Sequence, residues 1–243
     1  MIIGLIPSRL NSSRLTEKPL LEIDGLPLIV HTFKRAQLSK FLDRVIVCTD
    51  SKKILKIVNM HGGEAIMTSG KHTNGTERIA EVSKKFKCEL IVDIQGDEPL
   101  IDPNNIDKLI NYHKKNQNKF DIIVPSAEIK DPGTKNVVKI IANKGNKIIY
   151  MSRAAVPFNF KAKSKFYKHL SIISFKPNIL QKFAKLKKNN LEKIEDIELL
   201  RAIENDINVG TLYLKSKSIA VDIKEDYLEA IEIMKKDENR KKY

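Results

Sequence analysis

Short apolar runs alternate with segments of helical spacing along the first half of the chain, and this alternation most constrains the fold. Residues 2–6 (IIGLI), 44–49 (RVIVCT), 64–67 (EAIM) and 90–94 (LIVDI) read as strands. Between them, residues 27–40, about 52–61 and 76–86 carry apolar side chains at helical intervals, and a further helix opens at Pro103. Runs of four to six apolar residues without polar alternation are the mark of strands buried on both faces. The expected class is therefore α/β, with a mainly parallel sheet covered by helices. After residue 120 the pattern loosens. Extended segments at 121–128, 137–142, 147–151 and 167–175 follow one another without long helices, as antiparallel additions to the sheet would. Amphipathic helices are expected near 192–205 and 224–236, the second preceded by a short strand SIAV at 218–221. The last residues, KKDENRKKY, lack an apolar pattern and are expected to fray. No repeat or linker divides the 243 residues, so the expectation is one domain, 1–243, with a dimerisation region within 121–175.

No apolar run reaches the ~20 residues that span a bilayer, and MIIGLIPSRL is too short before its first proline and arginine for a secretory signal. A cytoplasmic protein without membrane insertion is expected. Cys48 and Cys88 are too few for a disulfide framework or a zinc site and read as small hydrophobes. The net charge of +14 is carried mostly by lysine, since only eight of the 44 cations are arginine. It is spread as +4 over residues 1–121 and +10 over 122–243. A nucleic-acid interface favours clustered, arginine-rich faces. The reading is a solvated surface that draws in anionic small molecules, with a basic nucleic-acid-binding protein as the different-class alternative.

Three segments carry chemistry. The loop after the first strand, residues 7–20 (PSRLNSSRLTEKPL), sets Arg9, Arg14 and Lys18 beyond a strand's carboxyl end, where open α/β sheets bind ligands. Such a set can neutralise and orient a triphosphate. It is not a dinucleotide fingerprint, because no G-x-G-x-x-G occurs. Nor is Gly70-Lys71 a Walker loop, because position 65 is alanine and no hydroxyl follows the lysine. Gln95-Gly96-Asp97-Glu98-Pro99 follows LIVDI, placing a carboxylate where Mg²⁺ and phosphates are held, unless it is a plain turn. Asp222 is either the cap of the helix after it or a second carboxylate beside Asp97, and spacing leaves both open. His31, His61 and His113 read as surface or packing residues, and Ile194, Ile197, Leu200 and Ile203 as one buried helix stripe.

Together these segments resemble the sugar-acid cytidylyltransferases, most closely the 3-deoxy-manno-octulosonate cytidylyltransferase (CMP-Kdo synthetase) family. IPSRLNSSRLTEKPL is similar to that family's I-P-A-R-x-x-S-x-R-x-x-x-K-P-L opening. HTNGTERIAEV resembles its H-x-S-G-T-[DE]-R segment, VDIQGDEPLI its Q-G-D-[EQ]-P strand end, and MSRAAVPF its S-R-x-x-I-P segment. YKHLSIISF, LEKIEDIELLRAIE and VDIKED match the rest in order, from residue 2 to about residue 232. The resemblance implies a Rossmann-like three-layer nucleotidyltransferase fold and transfer of CMP from CTP to the anomeric hydroxyl of Kdo, with release of pyrophosphate. The product would feed lipopolysaccharide or other surface polysaccharide. It also implies a homodimer and Mg²⁺ as cofactor. By the same resemblance Arg9 and Lys18 act on the phosphates, Asp97 and Asp222 hold the metal, Asn74, Thr76 and Arg78 read the nucleotide, and Pro7, Ser8 and Arg14 are further substrate-binding residues. Gln95, Arg153, His169, Glu198 and Arg201 surround the sugar acid. The chain departs from the family at Asn74 (serine is usual), at Ile223-Lys224 (Thr-Pro) and at Leu199 (glutamine). The last leaves another acceptor, an amino-substituted Kdo or a nonulosonic acid, as an alternative.

Overall fold

The computed structural model describes residues 1–11 and 14–243; Ser12 and Ser13 of the first loop lie outside the described residues. The chain forms two compact units, one of Met1–Lys108 with Lys217–Tyr243 and the other of Leu109–Ser216.

The first unit is built on β1 (Ile2–Ser8), whose seven residues are all buried. A hairpin of β2 (Glu22–Ile23) and β3 (Leu26–Pro27) leads into α1 (Leu28–Gln37). Then come β4 (Arg44–Thr49), α2 (Lys52–Met60), β5 (Glu64–Met67), α3 (Gly75–Ser83) and β6 (Leu90–Ile94). The sheet runs β5-β4-β1-β6 and every pairing is parallel, with Ile3 opposite both Arg44 and Ile91. Parallel strands need crossovers, and the amphipathic helices supply them. In α2 the buried Ile54 and Val58 stand four apart, and the Ser51 hydroxyl accepts the Ile54 N–H.

The unit boundary falls within α4 (Pro103–Lys115). The second unit holds β7 (Ile122–Ile123), β8 (Ser126–Ile129), β9 (Lys139–Ala142), β10 (Ile148–Ser152), β11 (Phe166–His169) and β12 (Ile172–Phe175). It continues with α5 (Pro177–Phe183), α6 (Asn190–Glu195), α7 (Leu199–Glu204) and β13 (Val209–Gly210). β8 to β11 form an antiparallel sheet in the order β10-β9-β11-β8, and β7 lies between antiparallel β12 and parallel β13. The chain then returns to the first unit for α8 (Lys224–Met234), which packs through Ala230 and Met234 onto Ile23, Leu28, Leu100 and Val221. The mixed α/β class, parallel strands with antiparallel additions, is as the sequence implies.

Four local expectations fail. The helix expected over 192–205 is two short helices, because Asp196 turns left-handed (φ 52°) between them. That turn breaks the helical stripe: Ile194 is exposed while Ile197 and Leu200 are buried. SIAV forms no strand; the Val221 N–H donates to Asp97 O at 2.9 Å and the Ser218 hydroxyl donates to the Glu98 carboxylate. α5 has no counterpart in the sequence reading.

The tail does not fray. Arg35, buried on α1, donates to Asp237 Oδ1 (2.5 Å) and to the Tyr243 hydroxyl (3.2 Å). His31 Nδ1 also meets that hydroxyl at 2.9 Å, and Arg240 pairs with Asp24 at 2.6 Å. Polar stitching of this kind leaves no apolar periodicity to read.

Candidate active site

The loops at the carboxyl ends of β1 and β6 meet because Gly96 lets them. A Cβ on Gly96 would stand 2.7 Å from Pro7 O, inside contact distance of backbone, so a side chain there is excluded. The Thr32 hydroxyl of α1 donates to Gly96 O at 3.3 Å and supports the turn from below. Lys18 opens a short 3-10 turn (Lys18–Leu20), entered through left-handed Glu17 and closed by Leu20 N–H to Glu17 O at 2.8 Å. From that turn the Lys18 ammonium reaches Asp97 Oδ2 at 2.8 Å and Asp222 Oδ1 at 3.3 Å. The two contacts hold these carboxylate oxygens within about 6 Å of each other. Arg14 adds a second cation to Asp222 at 3.3 Å.

The alternative role for Asp222 is not what the structure holds. Asp226 Oδ2 accepts the Asp222 and Ile223 N–H groups at 2.9 and 3.0 Å, so Asp226 serves the N-terminus of α8. The Asp222 side chain faces Lys18 instead.

These groups line a cleft of about 370 Å³ within the first unit. Pro7, Ser8, Arg9, Arg14, Lys18, Asn74, Arg78, Gln95, Asp97 and Asp222 of the expected site residues all line it. Four of its side chains are cationic (Arg9, Arg14, Lys18, Arg78) against two carboxylates, a balance that favours an anionic guest. The Ser8 hydroxyl is buried with no hydrogen-bond partner among the described residues, which leaves a donor for a ligand at the strand end. Gln95 gives its amide N–H to Asp93 at 3.0 Å, fixing its orientation. Thr76 is buried on α3 beside the cleft.

Asn74 is the N-cap of α3: its Oδ1 accepts the Glu77 N–H at 2.8 Å. Serine caps the same way, so Asn74 keeps the cap where the resemblance leads one to expect serine. His72, Thr73 and Gly75 also line the cleft, and sequence reasoning missed them although they stand in the HTNGTER segment. His72 Nε2 lies 2.5 Å from Glu81, which also accepts the Ser69 N–H at 3.0 Å. The Ser69 N–H first, then His72, hold the Glu81 carboxyl below the usual carboxylate range.

The remaining expected residues belong to the second unit. Arg153 donates to three carbonyls, Glu195 O (2.7 Å), Asp196 O (3.0 Å) and Lys135 O (3.2 Å). Glu195 in turn accepts the Arg153 N–H at 2.9 Å and the Ser152 hydroxyl at 2.7 Å. Burial works to raise the Glu195 carboxyl, but those hydrogen bonds outweigh it and hold it low. Arg201 is buried between Glu192 (3.2 Å) and Glu198 (2.7 Å), so two expected acceptor residues are paired with each other. His169 ends β11, and burial pushes its imidazole down to about 4. Leu199 is buried.

A family model described as cytidylyltransferase matches residues 3–219. A 3-deoxy-manno-octulosonate cytidylyltransferase of Thermodesulfovibrio yellowstonii is 37% identical over 240 residues, covering 92% of this chain and 94% of its own. One from Fusobacterium nucleatum is 39% identical over 241 residues, 96% of each chain. Among solved structures, a CMP:2-keto-3-deoxy-manno-octonic acid synthetase complexed with CTP matches with TM-score 0.93 and 30% identity, over 97% of this chain and 98% of the other. A glucose-1-phosphate thymidylyltransferase structure from Bacillus anthracis, described as putative by its source, shares the fold at TM-score 0.67 and 16% identity, over 96% and 95% of the chains.

Fold and cleft thus define a class of enzyme, the nucleotidyltransferases. Within that class the chain belongs to the cytidylyltransferase family, in its 3-deoxy-manno-octulosonate cytidylyltransferase group.

Proposed function

We propose that this enzyme transfers CMP from CTP to the anomeric hydroxyl of 3-deoxy-D-manno-octulosonate, releasing pyrophosphate. The observation that carries the reading is the Lys18 ammonium between Asp97 and Asp222 in a cation-rich cleft at the ends of β1 and β6. The names of its relatives supply the sugar. In the reaction a bond forms between the anomeric oxygen and the α-phosphorus, the bond from that phosphorus to the β-phosphate bridge breaks, and the hydroxyl proton passes to solvent. Such transfer needs positioning and charge stabilisation more than covalent help. Arg9, exposed at the cleft, and Lys18 meet the phosphates and the charge that develops on them. Ser8, Arg14, Asn74, Thr76 and Arg78 hold the nucleotide. By the resemblance to the family, Gln95, Arg153, His169, Glu198 and Arg201 serve the acceptor.

Mg²⁺ fits the residues present. Among the described residues no group of three or more metal-binding side chains gathers. Asp97 and Asp222 alone suit an ion that takes one or two carboxylates and fills its shell with phosphate oxygens and water. When bound, the ion polarises phosphate oxygens and lowers the pKa of a neighbouring hydroxyl. Lys18 already places a cation between the same two oxygens, which supports reading the pair as a place for positive charge.

Leu199 favours a second acceptor. Its buried side chain offers no hydrogen bond, so an amino-substituted Kdo or a nonulosonic acid remains the alternative substrate. The enzyme works in the cytoplasm, in the supply of activated sugar acid for lipopolysaccharide or other surface polysaccharide. Among the described residues no helix is long and apolar enough to cross a membrane. It acts as a homodimer built on 121–175, a reading supported by Phe158 and Phe160, which stand 82% and 83% exposed.

Pyrophosphate release from CTP with Mg²⁺, measured against a panel of sugar acids, tests the function. Release with Kdo is expected, and no CTP-dependent release with any acid overturns the assignment. Light scattering that shows a monomer at micromolar concentration overturns the dimer.

A further inference from the structure

The connection from β5 to α3 is tied down by side chains of α3 itself. Glu77 accepts the Thr73 N–H at 2.8 Å and its hydroxyl at 3.0 Å, Glu81 accepts Ser69 and His72, and Arg78 donates to the Thr68 hydroxyl. Arg78 also reaches out of this segment. Its second amino group donates to Asp50 Oδ2 at 2.7 Å, directly after β4. Arg78 is only 4% exposed, yet it lines the cleft. A guanidinium carries five donors in one rigid plane, so fixing both amino groups fixes where the other donors point. Asp50 also neutralises the charge. Arg78 thus meets the cleft as an oriented hydrogen-bond fork, whereas Arg9, Arg14 and Lys18 of the β1 loop outnumber the carboxylates of Asp97 and Asp222 and leave net positive charge there. A paired fork suits the carbonyl and hydroxyl oxygens of a nucleoside better than phosphates.

We infer that Asp50 is a positioning residue for nucleotide binding, acting through Arg78 to hold the donors that meet the nucleoside part of the triphosphate. This rests on the reading of the cleft as a CTP site. Thr68 completes the clamp from the other amino group.

The test measures CTP and inorganic tripolyphosphate binding to the full chain, wild type and Asp50→Asn, with thermal melting alongside. Asp50→Asn leaves Arg78 less well held and adds net positive charge. CTP should therefore bind at least tenfold more weakly, while tripolyphosphate binds equally or more tightly. A simple loss of structure weakens both. CTP affinity within twofold of wild type in folded Asp50→Asn, or equal weakening of the two ligands, overturns the inference. Asp50→Glu retains the charge and shifts the fork by one methylene. It should lose CTP affinity with tripolyphosphate unchanged, and it decides the matter if Asp50→Asn does not fold. Wild-type enzyme that fails to bind CTP overturns the proposed function instead. The same comparison, made with whichever of UTP, ATP or GTP does bind, then judges Asp50, and binding of none overturns both.

Discussion

Replacing Asp222 with asparagine removes one negative charge while nearly preserving shape, and the structure separates what this does to folding from what it does to chemistry. The Asp222 side chain is 40% exposed and its ion pairs with Lys18 and Arg14 are 3.3 Å long. Pairs this exposed contribute roughly 0–1 kcal/mol to stability. The helix that follows keeps its N-terminal partner, because Asp226 holds the Asp222 and Ile223 N–H groups. Melting should therefore fall by no more than about 4 °C. Turnover should fall roughly a hundredfold, equivalent to about 2.7 kcal/mol of lost transition-state stabilisation, and half-maximal rate should need more Mg²⁺. Initial rates of pyrophosphate release across a magnesium titration measure both effects. Asp226→Asn is the control: it weakens the helix terminus by about 1 kcal/mol and leaves the magnesium dependence alone. A folded Asp222→Asn enzyme with wild-type rate and magnesium dependence refutes the two-carboxylate site.

Other perturbations have equally definite outcomes. Asn74→Ser should leave stability within about 0.5 kcal/mol of wild type by denaturant unfolding, whereas Asn74→Ala should cost about 1 kcal/mol through the lost cap. Gly96→Ala forces a methyl against Pro7 O and should cost about 1–3 kcal/mol while lowering turnover, since the turn that carries Asp97 must shift. Asp237→Ala strands the buried Arg35 charge and should cost about 3 kcal/mol, read as a melting point lower by roughly 6–12 °C. Burial holds the His113 imidazole down to about 4, from 6.5, so the unfolded chain takes up a proton that the folded one refuses. Its contribution is complete above about pH 6.5 and is lost as pH falls towards about 4, on the order of 2–3 kcal/mol in all. His113→Asn should flatten unfolding stability across that window.

Legibility in the sequence followed the kind of force at work. β4 and β6 stand where the apolar runs put them, because a strand buried on both faces must be mostly apolar, and half-buried β5 at the sheet edge follows its own short run. The motif loops at the ends of β1 and β6 were legible because strand ends are where such sheets bind ligands. The tie from Lys18 to Asp222 spans 204 positions, and no spacing rule could choose between metal ligand and helix cap. The break at Asp196 was hidden because aspartate enters the left-handed region without the glycine that would announce it. His72 and Asp50 were missed for another reason. Each acts through a partner (Glu81 or Arg78) that only the folded chain brings near.

The first unit is discontinuous: it begins at Met1, is interrupted by Leu109–Ser216, and is completed by Lys217–Tyr243. Its buried Arg35 therefore waits during synthesis for Asp237, 202 positions later in the chain. At about 5–20 residues per second the delay is roughly 10–40 s. The contiguous second unit can emerge whole before the first has its last helix. On a translating ribosome, Arg35 thus lacks its carboxylate partner and Leu28 lacks the cover of α8 until the tail arrives.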